Sequence, residues 1–371
     1  MVTHKDIAQA VGVSQATVSK VLSNRSNNIS ISPKTRQAVI DAAKRLGYNK
    51  DKVAAGLIHL VDRSVAILME HIANPFLTVI LSSIEKELAQ TDYRYLFASA
   101  DGRAEQSMGT IESLTRRYTT GFILMPFYES NTSQAVHEYL KVRGIPFVQC
   151  NYFTLPGPND APLITTNNFS AFKQLTEHLI RLGHTNIALC YTSPEYSCMD
   201  ARLRGYIAAH EENGLKVDSS LMANIPRSSY LDISTKEELL DKWLRRRRQP
   251  TAIMCFKDDP ALQLIRLLSQ RGLSVPGDMA VTGFDDYRYY THTFHPEAYF
   301  HLTTVRQDLP GIGREAVRRL ISEIENGGRR ELPLEIEVPG RLIVRGSCGG
   351  TKIENETDEY YPLISMIGRA V

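Results

Sequence analysis

The sequence predicts an α/β protein with an N-terminal three-helix helix-turn-helix domain and then two doubly wound α/β subdomains. Three observations predict this organisation. Short helical periods around a glycine turn occupy residues 1–49, and basic charge is concentrated there. The remaining chain alternates apolar runs of strand length with helical periods.

The first helix is predicted to begin at Thr3 and to end at Gly12. Thr3 stands three residues before Asp6, which resembles a capping box and puts an acid near the positive end of the helix. Gly12 can adopt the left-handed conformation that a short turn needs. Ser14 then serves as the predicted N-cap of a second helix.

A third helix is predicted from the pair Ser32-Pro33, an N-cap followed by proline at the first helical position. Its predicted buried stripe comprises Ala38, Val39, Ala42, Ala43 and Leu46. Three short helices around one core are typical of a helix-turn-helix domain, whose second helix enters the major groove of DNA. The alternative is an ordinary three-helix part of a larger core.

Basic charge favours the DNA-binding interpretation. Residues 1–64 hold ten lysines and arginines and four acids, whereas the whole chain has a net charge of only +2. A basic region of this kind meets the phosphate backbone of nucleic acids. We therefore expect double-stranded DNA to be a partner of the first domain.

A series of short motifs extends this pattern along the chain. The early motifs are Asp6-Ile7-Ala8, Gly12-Val13-Ser14 and Thr17-Val18-Ser19-Lys20. The later motifs are Asn74-Pro75-Phe76, Leu182-Gly183-His184, Gly205-Tyr206, Val275-Pro276, Gly283-Phe284-Asp285-Asp286, Leu302-Thr303-Thr304-Val305 and Arg345-Gly346-Ser347. In content and order they resemble the lactose-repressor (LacI/GalR) family of bacterial transcription regulators, over residues 2–348.

The resemblance implies DNA-contacting roles for the second helix. The implied phosphate contacts, which suit hydroxyl groups, are Ser14, Thr17, Ser19 and Ser23 (an asparagine in most of the family). The implied base-reading residues are Gln15, Ala16 and Lys20. Glutamine suits adenine, lysine suits guanine and alanine can meet only a thymine methyl group. A solvated helix face is the alternative.

Residues 50–62 match the family's hinge helix and linker, in which a leucine wedge enters the minor groove and kinks the operator. Leu57 occupies the wedge position, although a linker residue without a role is the alternative. Lys50-Asp51 and Ala55 depart from the family pattern, and Gly56 lowers helix propensity by about 1 kcal/mol. We expect Leu57→Ala to abolish operator bending and to leave weak nonspecific binding.

Residues 63–349 show the βα repetition of parallel doubly wound sheets. The predicted strands are 65–69, 95–98, 121–125, 145–149, 187–191, 251–256 and 279–284. The predicted helices are 76–90, 104–117, 133–143, 169–182, 202–213, 235–247 and 260–271. The resemblance implies a periplasmic-binding-protein-like fold with two discontinuous subdomains, 63–164 with 300–330 and 165–299 with 331–349.

That fold places a small-molecule effector in the cleft between the subdomains, at the carboxyl ends of the strands. Arg202 and Asp285 match the family's two recurring effector-contacting charges. A guanidinium offers a fork of donors and a carboxylate accepts paired hydroxyls, although a structural ion pair is the alternative. Phe76, at a helix start, and Tyr230 are further candidates, because an aromatic ring can stack on an effector ring.

Lys257-Asp258 stands in place of a common Asn-Asp pair. A cleft lysine favours an anionic effector, such as a sugar phosphate or a sugar acid. An equal alternative is a lysine that faces solvent or pairs with a neighbouring aspartate. The effector is thus expected to be a sugar, a sugar phosphate or a nucleobase. Histidines at 292, 295 and 301 suggest a metal only weakly, so no metal or cofactor is expected.

The resemblance, together with the rest of the composition, predicts a location in the bacterial cytoplasm, associated with the nucleoid. Five cysteines lack CxxC spacing, so reduced thiols are expected rather than disulfides. No run of 18 apolar residues and no apolar signal segment occurs. The resemblance implies that tetramers carry a C-terminal leucine heptad; the tail, residues 350–371, shows none, so a homodimer is expected.

These features predict a carbohydrate-sensing transcription repressor that binds a palindromic operator as a dimer. Effector binding would change the closure of the subdomains and move the hinge helices. The alternative, from another class, is an enzyme acting on a sugar or nucleoside with an appended DNA-binding domain. Missing P-loop, HExxH and GxSxG motifs argue against an enzyme.

Overall fold

The structure, a computed structural model, describes most of the chain. The described residues are 4–22, 31–46, 63–69, 75–99, 104–115, 119–126, 130–152, 161–192, 195–226, 232–286, 301–326 and 333–350. The chain divides into an N-terminal unit, Met1–Ser64 with Arg117–Thr119, and a C-terminal unit, Val65–Arg116 with Thr120–Val371. Two predicted features, the hinge helix and linker of residues 50–62 and the tail of residues 350–371 apart from Gly350, lie outside the described residues.

The N-terminal unit contains the three predicted helices, α1 (His4–Val11), α2 (Gln15–Leu22) and α3 (Pro33–Arg45). Gly12 has a φ of 69°, the left-handed conformation predicted for the turn after α1. The predicted N-cap before α3 is also present, since Ser32 Oγ accepts from the Thr35 amide at 3.1 Å. Short-range signals therefore fix the order and the ends of these helices.

The core of the N-terminal unit is small and apolar. Ile7, Val18 and Val39 are fully buried at its centre. The predicted stripe of α3 was too wide, because Ala38 is exposed and Leu46, beyond the end of the helix, is 37% exposed. The buried stripe of α3 therefore comprises only residues 39, 42 and 43, which lie on one face of the helix.

The C-terminal unit begins with alternating strands and helices. These are β1 (Ser64–Met69), α4 (Pro75–Leu88), β2 (Arg94–Ser99), α5 (Ala104–Thr115), β3 (Gly121–Leu124), α6 (Ser130–Val142), β4 (Phe147–Cys150) and β5 (Leu163–Thr166). A second series follows: α7 (Asn168–Arg181), β6 (Ile187–Tyr191), α8 (Ser197–Glu212), β7 (Met222–Asn224), α9 (Ile233–Leu244), β8 (Ala252–Cys255), α10 (Asp258–Gln270) and β9 (Ala280–Thr282). The chain ends its regular structure with β10 (Thr304–Arg306), α11 (Leu309–Glu325), β11 (Glu335–Val338) and β12 (Arg341–Ile343).

The strands form two main sheets, as the βα repetition predicts. The first has the order β11-β5-β4-β3-β1-β2 and the second has the order β7-β6-β8-β9. Pairing is parallel along β1-β3-β4-β5-β11 and throughout the second sheet. In β1, Ile67 packs on one face and Leu68 on the other. Burial on both faces explains why these strands read as unbroken apolar runs.

β10 and β12 form a small sheet of their own, which isolated bridges connect to the end of β9. Three segments join the first sheet and its helices to the second sheet and this small sheet, at residues 166–168, 306–309 and 338–341. The third segment differs from the sequence analysis, which assigned residues 331–349 to the second subdomain. β11 still pairs with β5, Glu335 opposite Leu163, and the chain then returns to pair β12 with β10. A strand as short as β11 with alternating polar residues gives little indication of which sheet it joins.

Close helix contacts depend on two glycines. A Cβ at Gly205 of α8 would meet the carbonyl oxygen of Phe169 in α7, and one at Gly313 of α11 would meet the Ile80 carbonyl oxygen in α4 at 2.8 Å. The helices can therefore approach backbone to backbone only with glycine at these positions. The approach of α8 to α7 also sets the position of Arg202, one turn before Gly205.

Candidate functional site

The first candidate surface is the exposed face of α2. Gln15, Ala16, Ser19 and Lys20 are exposed, while Val18 and Val21 point into the core. Exposure of the implied base-reading residues on one short helix is the arrangement that a major-groove contact requires. Ser23 and Leu57, the other implied DNA contacts, lie outside the described residues.

Ser14 and Thr17 have a structural role in addition to the implied phosphate contact. Ser14 Oγ accepts from the Thr17 amide at 3.1 Å and lies 2.9 Å from Thr17 Oγ1. The cap satisfies an amide at the start of α2 that would otherwise lack a partner. The same turn thus sets the orientation of α2 and offers hydroxyls at its N-terminus.

The second candidate site is a buried charged pair in the C-terminal unit. Arg202 of α8 is 4% exposed and Asp285, after β9, is 7% exposed. Arg202 Nη2 lies 3.7 Å from Asp285 Oδ1, and the guanidinium carbon lies 3.6 Å from the centre of the Phe284 ring. The sequence analysis singled out both charges, and the fold brings them together.

Two residues that the sequence analysis missed hold the pair. Arg202 Nε donates to Asn168 Oδ1 at 2.9 Å, and its Nη1 donates to the carbonyl oxygen of Phe256 at 2.6 Å. Gln307 Nε2 donates to Asp285 Oδ1 at 2.7 Å, and Gln307 Oε1 accepts from Thr166 Oγ1 at 2.6 Å. Asn168, Thr166 and Gln307 all belong to segments that join the two sheets.

Burial and the neighbouring charges shift the pKa values of Arg202 and Asp285 in opposite directions. Burial raises the pKa of the Asp285 carboxyl, while the positive charges of Arg202 and Lys257 and the Gln307 hydrogen bond lower it. Burial also lowers the pKa of the Arg202 guanidinium, against the charge of Asp285. A guanidinium keeps its proton in proteins, so Asp285 faces a permanent cation. Removal of either group would leave the other charge buried and uncompensated.

The backbone at the pair is strained. Asp285 has a φ of 113° and Asp286 has a φ of 48°, values that L-residues rarely adopt. Asp286 is held by Arg306 at 2.7 Å and by Arg345 at 2.9 Å. Such strain persists only where surrounding contacts over-determine it, and it concentrates at functional sites.

The remaining predicted effector residues lie in different surroundings. Lys257 is half-buried and close enough to Asp285 to affect its pKa. Asp258 is 2% exposed and its Oδ1 accepts from Thr304 Oγ1 at 2.6 Å, which ties α10 to β10. Phe76 is 8% exposed in the core of the first sheet, a position that disfavours stacking on an effector. Tyr230 lies outside the described residues.

An aromatic cluster beside the pair was also missed. Tyr152 and Tyr196 pack edge to face with ring centres 5.5 Å apart, against Cys198, Met199 and Phe256. Cys198 lies near both charges of the pair, and burial raises the pKa of its thiol. The cluster gives the site an apolar wall next to its charges, as small-molecule sites usually have.

Other site types find no support in the part of the chain that the structure describes. No group of three histidine, cysteine or acidic side chains there is placed to hold a metal ion. Among the same residues, no helix is both long enough and apolar enough to span a membrane. All five cysteines are buried free thiols.

Two profiles of known families match the chain. Residues 3–51 match the bacterial regulatory proteins of the lacI family, and residues 176–348 match the periplasmic binding protein-like domain. The transcriptional regulator DegA of Bacillus subtilis (strain 168) is 30% identical over 345 residues, which cover 92% of this chain and 96% of DegA. Catabolite control protein A of Priestia megaterium is 30% identical over 347 residues, 93% and 99% of the two chains.

Solved structures show the same fold. The transcriptional regulator CelR in complex with cellobiose matches 94% of this chain and 100% of its own, with a TM-score of 0.65 and 25% identity. The Lac repressor dimer bound to operator and the anti-inducer ONPF matches 94% and 99%, with a TM-score of 0.68 and 22% identity. The relatives are named as transcription regulators rather than enzymes. With a helix-turn-helix unit and a periplasmic-binding-protein-like unit in one chain, the protein belongs to the lacI family of DNA-binding transcription regulators.

Proposed function

We propose that the protein is a ligand-responsive repressor that binds a palindromic operator as a homodimer. Its effector is a sugar or sugar derivative, held in the cleft by Arg202 and Asp285. The protein acts in the bacterial cytoplasm on nucleoid DNA, where an operator is available and its buried thiols stay reduced.

The buried Arg202–Asp285 pair carries the proposal. A donor fork and an acceptor, both desolvated, suit the paired hydroxyls of a sugar. CelR, which matches nearly the whole chain, was solved with cellobiose. Lys257, beside the pair, is proposed as a further contact with the effector. Asp258 has a structural role, because its hydrogen bond with Thr304 connects α10 to β10.

The effector is proposed to control DNA binding through the residues that hold the Arg202–Asp285 pair. Asn168, Thr166 and Gln307 bond to the pair, directly or through one another, and lie on the segments that join the sheets. A ligand that competes for these bonds changes the conformation of the segments, and a difference in affinity between conformations is what allosteric control requires.

The DNA contacts proposed are those of α2 and the hinge. Gln15, Ala16 and Lys20 read bases from the exposed face of α2. The phosphate contacts are Ser14, Thr17, Ser19 and Ser23, and Leu57 is the minor-groove wedge. These assignments rest on the resemblance and on the exposure of the α2 residues.

The edge strand β2 supports the homodimer. Tyr95, Leu96 and Phe97 are 36–38% exposed in succession on a terminal strand of the first sheet. An exposed apolar edge strand invites pairing unless it is covered. A second copy of the chain is the occupant proposed, since an operator with two-fold symmetry needs a symmetric protein.

A thermal-shift screen tests the effector site. Purified full-length protein is heated with neutral sugars, sugar phosphates, sugar acids and nucleobases, because a ligand of the folded state raises the melting temperature. Asp285→Asn keeps the size of the side chain, and asparagine, like aspartate, is enriched among the residues found at positive φ. We expect a sugar to raise the melting temperature of the wild type and not of this variant. An equal rise in both would place the effector elsewhere.

A further inference from the structure

The amino edge of the second sheet carries a run of arginines to which the proposed function gives no role. Residues 245–248 are four arginines between α9 and β8, and Arg181 and His184 stand at the end of α7, before β6. Because β6 and β8 are parallel neighbours, the segments that precede them meet at one edge. Asn186 Nδ2 donates to the Gln249 carbonyl oxygen at 2.6 Å, which joins the two segments. These arginines and His184 are called the basic edge.

Most of the positive charge on the basic edge has no acidic partner. Arg246 is compensated, since its Nη2 lies 2.7 Å from Asp218 Oδ2. The pKa of the Asp218 carboxyl is lowered first by the Ser220 hydroxyl and further by the charges of Arg246 and Arg248. Within the described part of the chain, no carboxylate lies at ion-pair distance from the other arginines, 181, 245, 247 and 248, which are all exposed.

The end of a helix explains only part of the run. A cation near the last carbonyl groups of a helix is favourable, but this effect falls off within the last turn. Leu244 is the last residue of α9 and Arg245 is its C-cap. Arg247 and Arg248 follow the helix, so its dipole does not account for them. Their charge is available to an acidic partner.

The chain leaves the described structure beside the basic edge. The last described residue, Gly350, lies against the end of α7, since a Cβ at this position would be 3.2 Å from His178 Nε2. His178 Nε2 also lies 3.3 Å from Cys348 Sγ. Burial, followed by the charges of Arg181 and His184, lowers the pKa of His178. The segment after Gly350 therefore begins next to positive charge.

The segment that follows carries the opposite charge. Four acids stand within residues 354–359, with no basic residue among them: Glu354, Glu356, Asp358 and Glu359. An extended chain advances about 3.3 Å per residue, so this acidic segment can lie roughly 13–30 Å from Gly350. Neighbouring strands are only about 5 Å apart. Both segments of the basic edge are therefore within its reach.

We infer that the acidic segment, residues 354–359, binds to the basic edge of the same chain. Attachment favours this partner over a free one, because a short linker raises the effective concentration to the millimolar range. The bound segment covers arginines that would otherwise bind DNA phosphates without regard to sequence. It thereby restricts DNA binding to the N-terminal unit. This role does not depend on the identity of the effector.

Cross-linking of the full-length protein tests the contact directly. Arg247→Lys with Arg248→Lys keeps both charges and supplies amines, which a carbodiimide couples to carboxylates in direct contact. We expect mass spectrometry to find links from positions 247 and 248 to the acidic segment at low salt, and fewer links at about 0.5 M salt, where charges are screened. Arg204→Lys, at an exposed position of α8 outside the basic edge, is the matched control and should give no such link.

A mixture of isotopically labelled and unlabelled chains shows which chain supplies the acidic segment. Links within one chain would support the contact as proposed. Links found only between labelled and unlabelled chains would overturn the assignment to the same chain, and the absence of links would overturn the contact itself.

A comparison of DNA affinities tests the consequence. Glu354→Gln, Glu356→Gln, Asp358→Asn and Glu359→Gln together remove the charge of the acidic segment. We expect this full-length variant to bind random duplex DNA at least about threefold more tightly than the wild type at low salt, with the gain lost at high salt. Adding Arg247→Gln and Arg248→Gln, at two exposed positions, should abolish the gain. No gain, or a gain that persists without these arginines, would overturn the role in DNA binding.

Discussion

The exposed face of α2 and the buried Arg202–Asp285 pair differ in exposure to solvent and in the residues that hold them in place. In the proposed function the α2 face meets a large polyanion; its polar side chains are exposed and the helix is held by Val18 and Val21 in the core. The buried pair is proposed to bind a small molecule; its charges are desolvated and are held by Asn168 and Gln307. A surface for DNA therefore depends on local structure, whereas a site for a small ligand depends on contacts between distant residues.

The largest effect is expected from Arg202→Met, which breaks the long-range site. The variant leaves Asp285 buried without its cation, and breaking a buried pair in this way costs about 3–5 kcal/mol. Urea denaturation of the C-terminal unit would measure the loss. Arg204→Met, whose side chain is 61% exposed on the same helix, is the matched control, with an expected change of about 1 kcal/mol or less. Equal losses for both arginines would show that burial of the pair has no energetic role.

A comparable break in the N-terminal unit should leave the C-terminal unit intact. Ile7→Ala removes a fully buried side chain from a three-helix core, at a cost of about 2–5 kcal/mol. Because so small a core is marginally stable, we expect operator binding to be lost in a mobility-shift assay while the sugar-dependent thermal shift persists.

The control for Ile7 lies two residues away. Gln9→Ala changes an exposed residue of α1 and should retain operator binding. Loss of the thermal shift in the Ile7→Ala protein would contradict the division of the chain into two units.

A smaller loss of stability is expected from a change at Ser14, which acts only on α2. Ser14→Ala removes the N-cap of α2, at an expected cost of about 1 kcal/mol. The melting of the helical circular dichroism signal in the N-terminal unit would report the cost. Ser19→Ala, on the exposed face of the same helix, should weaken operator binding without lowering this melting temperature. Equal melting temperatures of the Ser14→Ala and Ser19→Ala proteins would contradict the capping role of Ser14.

The smallest effect expected is a dependence of stability on pH from His210 in α8. His210 is 1% exposed, its Nδ1 lies 2.9 Å from the Tyr206 carbonyl oxygen, and burial lowers its pKa. Below the ordinary histidine value of about 6.5, the unfolded chain takes up a proton that the folded chain resists. Stability should therefore be full above pH 6.5 and fall as the pH decreases from there.

His210→Phe keeps a ring against Tyr206 and should flatten part of this slope, measured by thermal melts between pH 7.5 and about 5.5. Burial also lowers the pKa of His178 and His184, so some slope should remain. An unaltered slope in the His210 variant would show that His210 does not account for it.

The two regions also differ in what the sequence predicts. In the N-terminal unit, Gly12, Ser14 and Ser32 each act within four residues of their own position, so helix ends follow from the sequence. The two errors, Ala38 and Leu46, concern how wide a stripe the small core buries, which depends on the packing of three helices.

The C-terminal unit sets a harder problem. Strands and helices follow from their periodicity, and Arg202 and Asp285 follow from the family resemblance. Asn168 and Gln307 are missed because ordinary polar residues carry no local pattern, and their hydrogen bonds span 34 and 22 residues. One signal was available, since both residues stand at the ends of strands that precede a helix, where sheet proteins place ligand contacts.

The most direct test of the account is the linkage between sugar and operator. An operator selected from random double-stranded DNA by the full-length protein is labelled, and its affinity is measured by fluorescence anisotropy with and without the sugar that raises the melting temperature. We predict a palindromic site whose affinity changes at least about fivefold at saturating sugar, with a reciprocal change in sugar affinity, and no change in the Asp285→Asn protein. An operator affinity that is the same with and without saturating sugar would contradict the account.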